Sequence, residues 1–169
     1  MKTLILFRHG KSDWTDANLP DPERPLAKRG RKASRAMGRF LRRSLQVPDS
    51  AVTSPATRAR ASLDEVFDAG GWRCPVRVAE GLYGSSPQRV LEEIRAEPEA
   101  TGKLMIVGHE PTWSELTTLL LGGGSFDVPT GCMMRVDFEC ESWKDVKAGG
   151  GKLIWIVPPK LFTDGDFDL

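Results

Sequence analysis

The sequence predicts an α/β fold of three layers, in which helices cover both faces of a mainly parallel central sheet. Two observations predict it: short apolar runs recur along the chain, and amphipathic segments of helical length lie between them. Strands that alternate with helices favour crossover connections, which make neighbouring strands parallel. A chain of 169 residues without a linker or an internal repeat predicts a single domain spanning 1–169.

The strands are predicted from the apolar runs. The clear candidates are 3–7, 103–108, 132–138 and 152–157, and the weaker ones are 50–53 and 76–78. Residues that are apolar at successive positions are typical of strands buried on both faces. This pattern holds for 3–7, 103–108 and 152–157, whereas 132–138 alternates imperfectly.

Helices are predicted at 26–45, 57–67, 87–94 and 111–121. In the first of them, Ala33, Met37, Phe40 and Leu41 fall on one stripe at helical spacing. The glycine triplets 122–124 and 149–151 are expected to be loops. The segment 163–169 carries three aspartates and is expected to fray.

The composition excludes several classes of protein. The 24 basic and 23 acidic residues argue against a dedicated nucleic-acid binder and against a disordered acidic chain. Three cysteines without a C-x-x-C pair, and only two histidines, leave little room for a metal site, so no metal or cofactor is expected. No targeting segment or apolar run of about 20 residues is visible, which predicts a cytoplasmic protein that does not enter membranes.

Both histidines follow a predicted strand directly. His9 comes after 3–7 and Arg8, and His109 comes after 103–108. Ligands of open α/β sheets bind at the carboxyl ends of the strands, so the two side chains are expected to meet in one pocket. Arg8 and Arg58 offer guanidinium groups whose planar donors match phosphate oxygens. Taken alone, a histidine at a strand end is more often structural, and an arginine such as Arg58 is more often in a surface ion pair.

Four short motifs, in this order, resemble those of the histidine phosphatase superfamily, which has the phosphoglycerate mutase-like fold. They are Arg-His-Gly at 8–10, Ser-x-x-x-Arg-Ala at 54–59, Glu-x-x-Tyr-Gly at 80–84 and Val-Gly-His at 107–109. Ala61 and Ser62 replace the Gln-Thr usual in that family, a departure expected to affect helix packing rather than chemistry. The resemblance implies a phosphoglycerate mutase-like arrangement of the three layers.

Within the superfamily, the sequence is most similar to the SixA-type phosphohistidine phosphatases. The stretches that carry this similarity are 8–14, 19–30, 107–111 and 129–131. The resemblance implies that His9 is the nucleophile and forms a phosphohistidine intermediate that water hydrolyses. It also implies that Arg8, Arg58 and His109 surround the phosphoryl oxygens, with His109 as a protonated donor and His9 neutral.

Three further residues have two interpretations each. Glu80 is either the general acid for the leaving group or an ordinary exposed carboxylate. Ser12 and Ser54 could donate hydrogen bonds to the phosphate, although packing or capping is the commoner role.

The run from Arg24 to Arg43 contains nine Lys or Arg residues and no acid. It could dock an acidic phosphoprotein, or it could be a solvated helix face.

The function implied is a protein phosphohistidine phosphatase. Its partner would be a phosphorylated protein, such as a histidine-containing phosphotransfer domain, in a pocket left open because little sequence is available for a lid. A phosphatase for small phosphate esters is the nearest alternative. A non-catalytic adaptor that binds phosphate on the same fold is a third.

Overall fold

The computed structural model describes residues 1–164 and places six strands in one sheet, in the order β3-β2-β4-β1-β5-β6. The strands are β1 (Lys2–Arg8), β2 (Ser50–Thr53), β3 (Val76–Val78), β4 (Lys103–Gly108), β5 (Met133–Phe138) and β6 (Gly151–Val157). The four strands β1 to β4 are parallel to one another, and β5 is antiparallel to both β1 and β6. The prediction of a mainly parallel sheet is therefore confirmed.

Helices cover both faces of this sheet. They are α1 (Lys28–Arg43), α2 (Thr57–Gly70), α3 (Pro87–Arg95), α4 (Thr112–Leu121) and the short α5 (Lys160–Thr163). The apolar sides of α1 and α2 pack with Ile5 and Phe7 of β1, whereas α3 and α4 pack with Leu4 and Leu6. Successive residues of β1 thus face two separate hydrophobic clusters, which confirms the three-layer α/β/α arrangement and the burial of this strand on both faces.

The strand β6 differs from the prediction of a strand buried on both faces. It lies at the edge of the sheet, and Ile154 and Ile156 are 43% and 37% exposed. An edge strand pairs with another strand on one side only, and the elements that cover the middle of the sheet need not extend over it. An apolar run in the sequence therefore does not distinguish the edge strand β6 from a central strand such as β4.

The start of α1 and the end of the described chain differ in part from the prediction. The helix α1 begins at Lys28 rather than at 26, because Leu26 is buried in the preceding loop and forms an isolated bridge with Ser12. Thr163 ends α5, and its carbonyl oxygen accepts a hydrogen bond from Lys32 Nζ at 2.7 Å. In the segment 163–169, which was expected to fray, Thr163 and Asp164 are described, and 165–169 lie outside the described residues. No helix within 1–164 is both long and apolar enough to cross a membrane.

Candidate active site

The two histidines lie side by side at the carboxyl edge of the sheet. The central strands β1 and β4 are paired so that Arg8 is opposite Gly108, and both strands end there. The backbone N–H of His9 donates to the carbonyl oxygen of Gly108 at 3.1 Å, and the rings of His9 and His109 are 4.9 Å apart between centroids. The expected meeting of the two side chains follows from this pairing of adjacent parallel strands.

The hydrogen bonds of His9 determine which ring nitrogen is free to react. Nδ1 lies 2.6 Å from the carbonyl oxygen of Gly10, which can only accept, so Nδ1 carries the hydrogen of the neutral ring. Nε2 then has a lone pair, and Arg58 Nε donates to it at 3.2 Å. A neutral imidazole nitrogen that carries a lone pair is a nucleophile, so Nε2 is the nitrogen able to attack once the hydrogen bond from Arg58 shifts to the incoming phosphoryl group.

A second contact fixes the loop that follows His9. The buried hydroxyl of Ser62 accepts from the backbone N–H of Gly10 at 2.9 Å and donates to the carbonyl oxygen of Arg58 at 2.7 Å. Ser62 is one of the two residues at which the sequence departs from the usual family pattern. It joins the His9 segment to α2, so the departure touches the support of the site as well as helix packing.

His109 is held by Ser54, which follows β2. Nε2 of His109 lies 2.7 Å from Ser54 Oγ, and that oxygen also accepts from the backbone N–H of Ala56 at 3.2 Å. The Ser54 hydroxyl can donate to Nε2, an arrangement that places the hydrogen of the neutral ring on Nδ1. Nδ1 is buried and has no hydrogen-bond partner within residues 1–164, and in this tautomer it is a donor.

Burial keeps both histidines neutral. Loss of hydration lowers the pKa of His9 to about 4, and the charge of Arg58 adds to this while the hydrogen bond to Gly10 opposes it. Loss of hydration, together with His9 and Arg58, lowers the pKa of His109 to about 3. In the unliganded site both rings are therefore neutral. The expectation that His109 works as a protonated donor beside a neutral His9 stays a prediction.

The two arginines approach from different elements. Arg58, in the first turn of α2, donates from Nη1 to the backbone oxygen of Asp21 at 2.6 Å and from Nη2 to its carboxylate at 2.9 Å. Arg8, at the end of β1, donates from Nη1 to the carbonyl oxygen of Val128 at 2.6 Å. The buried Nε of Arg8 has no partner in the described part of the chain. Desolvation lowers the pKa of Arg8.

Asp21 and Tyr83 belong to the site, although no functional role is predicted for them from the sequence. Tyr83 Oη donates to Asp21 Oδ2 at 2.7 Å, and its ring meets that of His109 edge to face at 5.3 Å. The hydrogen bond from Tyr83, and then that from Arg58, lower the pKa of Asp21 despite some desolvation. Both residues lay within stretches quoted for the family resemblance, which was the one available signal. The loop that carries Asp21 is thus joined to the site through Arg58 and Tyr83.

The structure brings together Arg8, His9, Ser54, Arg58 and His109, whereas the side chains of Glu80 and Ser12 make no hydrogen bond to any of them within 1–164. Glu80 begins a short 3-10 turn, is exposed, and makes no side-chain hydrogen bond or ion pair within 1–164. Ser12 contributes its backbone to the bridge with Leu26. The described residues contain no group of three or more His, Cys, Asp or Glu side chains that could hold a metal ion.

This arrangement is suited to binding and transferring a phosphoryl group. Two guanidinium groups and a buried imidazole N–H can donate to phosphate oxygens, and the lone pair of His9 Nε2 lies among them. Since both imidazoles are neutral, the positive charge of the site comes from Arg8 and Arg58, partly offset by Asp21.

Comparison with known proteins agrees with this geometry. The sequence model of the histidine phosphatase superfamily (branch 1) matches residues 4–86. An uncharacterized protein of Mycobacterium tuberculosis is 34% identical over 163 residues, which cover 91% of this chain and 100% of that protein. The structure of a putative phosphohistidine phosphatase SixA from Nakamurella superposes with a TM-score of 0.79 at 27% identity, covering 93% of this chain and 96% of the other.

A protein histidine phosphatase SixA complexed with tungstate has the same fold, with a TM-score of 0.80 at 24% identity over 93% of this chain and 97% of that one. The motifs around His9 and Arg58 lie inside the matched family segment, and the whole architecture is shared. The chain belongs to the histidine phosphatase superfamily, with a phosphoglycerate mutase-like fold similar to that of SixA.

Proposed function

We propose that this protein is a phosphohistidine phosphatase that acts on phosphorylated proteins, with His9 Nε2 as the nucleophile. Membership in the histidine phosphatase superfamily supports phosphatase activity in general. The observation that favours phosphohistidine concerns Asp21, the carboxylate that is hydrogen-bonded to Arg58 and Tyr83 beside the two histidines. These bonds hold Asp21 ionised, so it has no proton to give to a leaving group.

The ionised state of Asp21 matters because leaving groups differ in how much they need a proton. An alkoxide that leaves a phosphate ester is strongly basic and needs a proton from a nearby acid. An imidazole that leaves a phosphohistidine departs as a neutral molecule when its other ring nitrogen is protonated. A site in which the nearby carboxylate of Asp21 is ionised therefore fits a phosphohistidine better than an ester of an aliphatic alcohol.

In the first step, the lone pair of His9 Nε2 attacks phosphorus while the phosphorus–nitrogen bond of the substrate breaks on the opposite side. The leaving imidazole keeps the electron pair of that bond, and the phosphoryl group is now attached to His9. In the second step, water attacks phosphorus, the bond to Nε2 breaks, and His9 is regenerated with inorganic phosphate as product. Splitting the reaction in this way replaces one difficult displacement by two easier ones.

The remaining groups stabilise the charge of the phosphoryl oxygens. The Nε of Arg8 and the Nδ1 of His109 are buried donors without partners in the described residues, and Arg58 already reaches His9 Nε2. Preorganised donors of this kind are most effective where water is excluded. A neutral His109 can fill this role through Nδ1–H. The negative charge of a bound phosphoryl group favours protonated imidazole and so raises the pKa of both histidines.

The proposal is tested by trapping the intermediate and by comparing substrates. We expect a radiolabelled phosphodonor to label wild-type protein but not His9→Ala, with an alkaline quench because phosphoramidates hydrolyse in acid. We also expect a phosphohistidine peptide to react at least about 100-fold faster in kcat/KM than an alkyl phosphate monoester, since about 2.7 kcal/mol of leaving-group stabilisation is missing for the ester.

Two results would contradict the proposal in different ways. Faster turnover of small phosphate esters than of the phosphohistidine peptide would assign the protein to the small-ester phosphatases. Binding of inorganic phosphate without labelling of His9 and without turnover of either substrate would indicate an adaptor.

A further inference from the structure

The outer side of α1 is lined by cations along most of its length. A shallow groove of about 560 Å³ lies among their long side chains. We call this surface the α1 cationic face, and it consists of Lys28, Arg29, Arg31, Lys32, Arg35 and Arg39. The helix contains no acidic residue between Lys28 and Arg43.

Only part of this charge is neutralised inside the described structure. Glu65 of α2 accepts from Arg31 Nη1 at 2.8 Å and pairs with Arg35 Nε. Within residues 1–164, Lys28, Arg29 and Arg39 have no carboxylate within ion-pairing distance. The face therefore presents more positive charge than the fold itself uses.

The placement of these cations does not favour the stability of the helix. Lys28 and Arg29 lie in the first turn, where the helix dipole disfavours positive charge, and Ala27 at the N-cap provides no side-chain hydrogen bond. Cations spaced four residues apart, such as Lys28 with Lys32 and Arg35 with Arg39, also repel each other. A helix face that merely needed to be solvated could alternate charges, so this pattern favours an anionic partner.

The α1 cationic face begins beside the catalytic edge. Ala27 N donates to the carbonyl oxygen of Lys11 at 2.8 Å, and an added Cβ at Gly30 would lie 2.5 Å from that same oxygen. The first turn of α1 thus packs on the segment just after His9. A second groove of about 350 Å³ adjoins the face, and Lys11, Arg29 and Lys160 line it together with Asp164. From Lys28 to Arg39 the face extends about 16 Å at ~1.5 Å per helical residue.

We propose that the α1 cationic face docks an acidic surface of the same protein whose phosphohistidine enters the site. This inference rests on the proposed function and names the partner as an acidic protein. The proposed substrate is a protein side chain, so carboxylates of that protein can lie along α1 while the phosphohistidine reaches His9. Complementary charge of this kind accelerates encounter and fixes the orientation of the partner.

The test uses two peptides that carry one phosphohistidine each. In the first, the residues that follow it are mostly Asp and Glu; in the second, they are replaced by Asn and Gln. Wild-type protein is expected to hydrolyse the acidic peptide with a kcat/KM about tenfold higher at low salt, and to lose this preference near 0.5 M salt. The unphosphorylated peptides are compared in parallel by fluorescence anisotropy, which reports binding without chemistry.

Charge reversal locates the surface. The double variant Lys28→Glu/Arg39→Glu is expected to lose the preference for the acidic peptide and to hydrolyse the amide peptide at the wild-type rate. Lys144→Glu/Lys147→Glu is the matched control with the same change in net charge, because Lys144 is exposed in the 3-10 turn Trp143–Asp145 and Lys147 is exposed just after it. That turn packs near Thr101, before β4 begins, and so at the opposite edge of the sheet. This control is expected to keep the preference.

Several outcomes would overturn the docking proposal. These are no preference in wild type, a preference unchanged in the double variant, or an equal loss of rate on both peptides. A short DNA duplex that displaces the acidic peptide at lower concentrations than polyglutamate would assign the face to nucleic acid instead. If neither peptide is hydrolysed, the proposed function fails, and the anisotropy measurement still decides whether the face binds acidic chains.

Discussion

Ser54 Oγ lies 2.7 Å from Nε2 of His109 and also accepts a hydrogen bond from the backbone N–H of Ala56. The hydroxyl therefore connects the end of β2 to the residue that follows β4. Ser54 is a positioning residue for His109 in this arrangement, because it holds the imidazole in one orientation. Donation to the phosphate itself, which the sequence suggested for Ser54 and Ser12, stays a prediction.

Ser54→Ala is expected to lower kcat about tenfold while changing KM by less than about twofold, because His109 loses its orientation but the arginines still bind phosphate. The free energy of unfolding is expected to fall by about 1 kcal/mol, the usual contribution of a buried hydrogen bond. Steady-state kinetics and urea unfolding measure the two effects. Ser12→Ala is the control and should leave kcat unchanged; an equal loss there would indicate that both hydroxyls contact phosphate.

Neither histidine should titrate near neutral pH in the unliganded protein. Burial lowers the pKa of His9 to about 4 and that of His109 to about 3, so both rings stay neutral from pH 8 down to about 5. NMR of the ring nitrogens tests this directly, since the chain has two histidines and His109→Gln assigns both signals. A ring that titrates near 6.5 would contradict the conclusion that burial removes the hydration of these two side chains.

The same two groups make stability depend on pH. In the unfolded chain each histidine binds a proton below about pH 6.5, whereas in the folded protein it does so only near pH 4 or 3. Between pH 6.5 and 5 the unfolded state therefore holds more protons, and the free energy of unfolding falls as pH falls. The slope is expected to reach up to about 1.4 kcal/mol per pH unit for each histidine. Urea unfolding across this window measures it, and His109→Gln should reduce the slope.

Asp21→Asn is expected to strengthen the binding of inorganic phosphate. The substitution removes a negative charge from Arg58 and frees the guanidinium for the anion, so the inhibition constant of phosphate should fall roughly tenfold, or about 1.4 kcal/mol. Glu23→Gln is the control, since Glu23 is exposed in the same short turn. Weaker phosphate binding in Asp21→Asn would mean that the contact of Asp21 with Arg58 mainly positions that arginine.

Glu80→Gln tests the remaining sequence-based role. If Glu80 is a general acid, the substitution slows hydrolysis of an alkyl phosphate more than that of a phosphohistidine peptide, because the alkoxide depends more on protonation. If Glu80 is an ordinary exposed carboxylate, both rates stay at the wild-type value. The ratio of kcat for the two substrates measures the difference. An equal fall on both substrates would exclude this account of the residue.

Features that depend on strand ends could be predicted from the sequence. His9 and His109 follow apolar runs that become adjacent parallel strands, so their meeting follows from topology alone. Arg58 could be placed in the same pocket because its motif follows β2, which neighbours β4. The architecture and the family were predictable for the same reason: they are carried by contiguous motifs and by the periodicity of apolar residues.

Features that depend on loop paths or on burial could not be predicted in this way. Asp21 reaches Arg58 and Tyr83 only because the loop between β1 and α1 folds back over the site. The charge state of His109 depends on how much water its neighbours exclude, which no local pattern records. The edge position of β6 depends on sheet order, and its apolar run resembles that of the buried β4.

The hydrogen bond from His9 N to Gly108 O also indicates that the parts of the site differ in local stability. It belongs to the two central strands, which are covered on both faces, so the backbone there is expected to exchange slowly. Asp21 sits on an exposed turn that is held to the site by its bonds to Arg58 and Tyr83. The proposed nucleophile is thus expected to be better protected from exchange than the carboxylate that competes for Arg58.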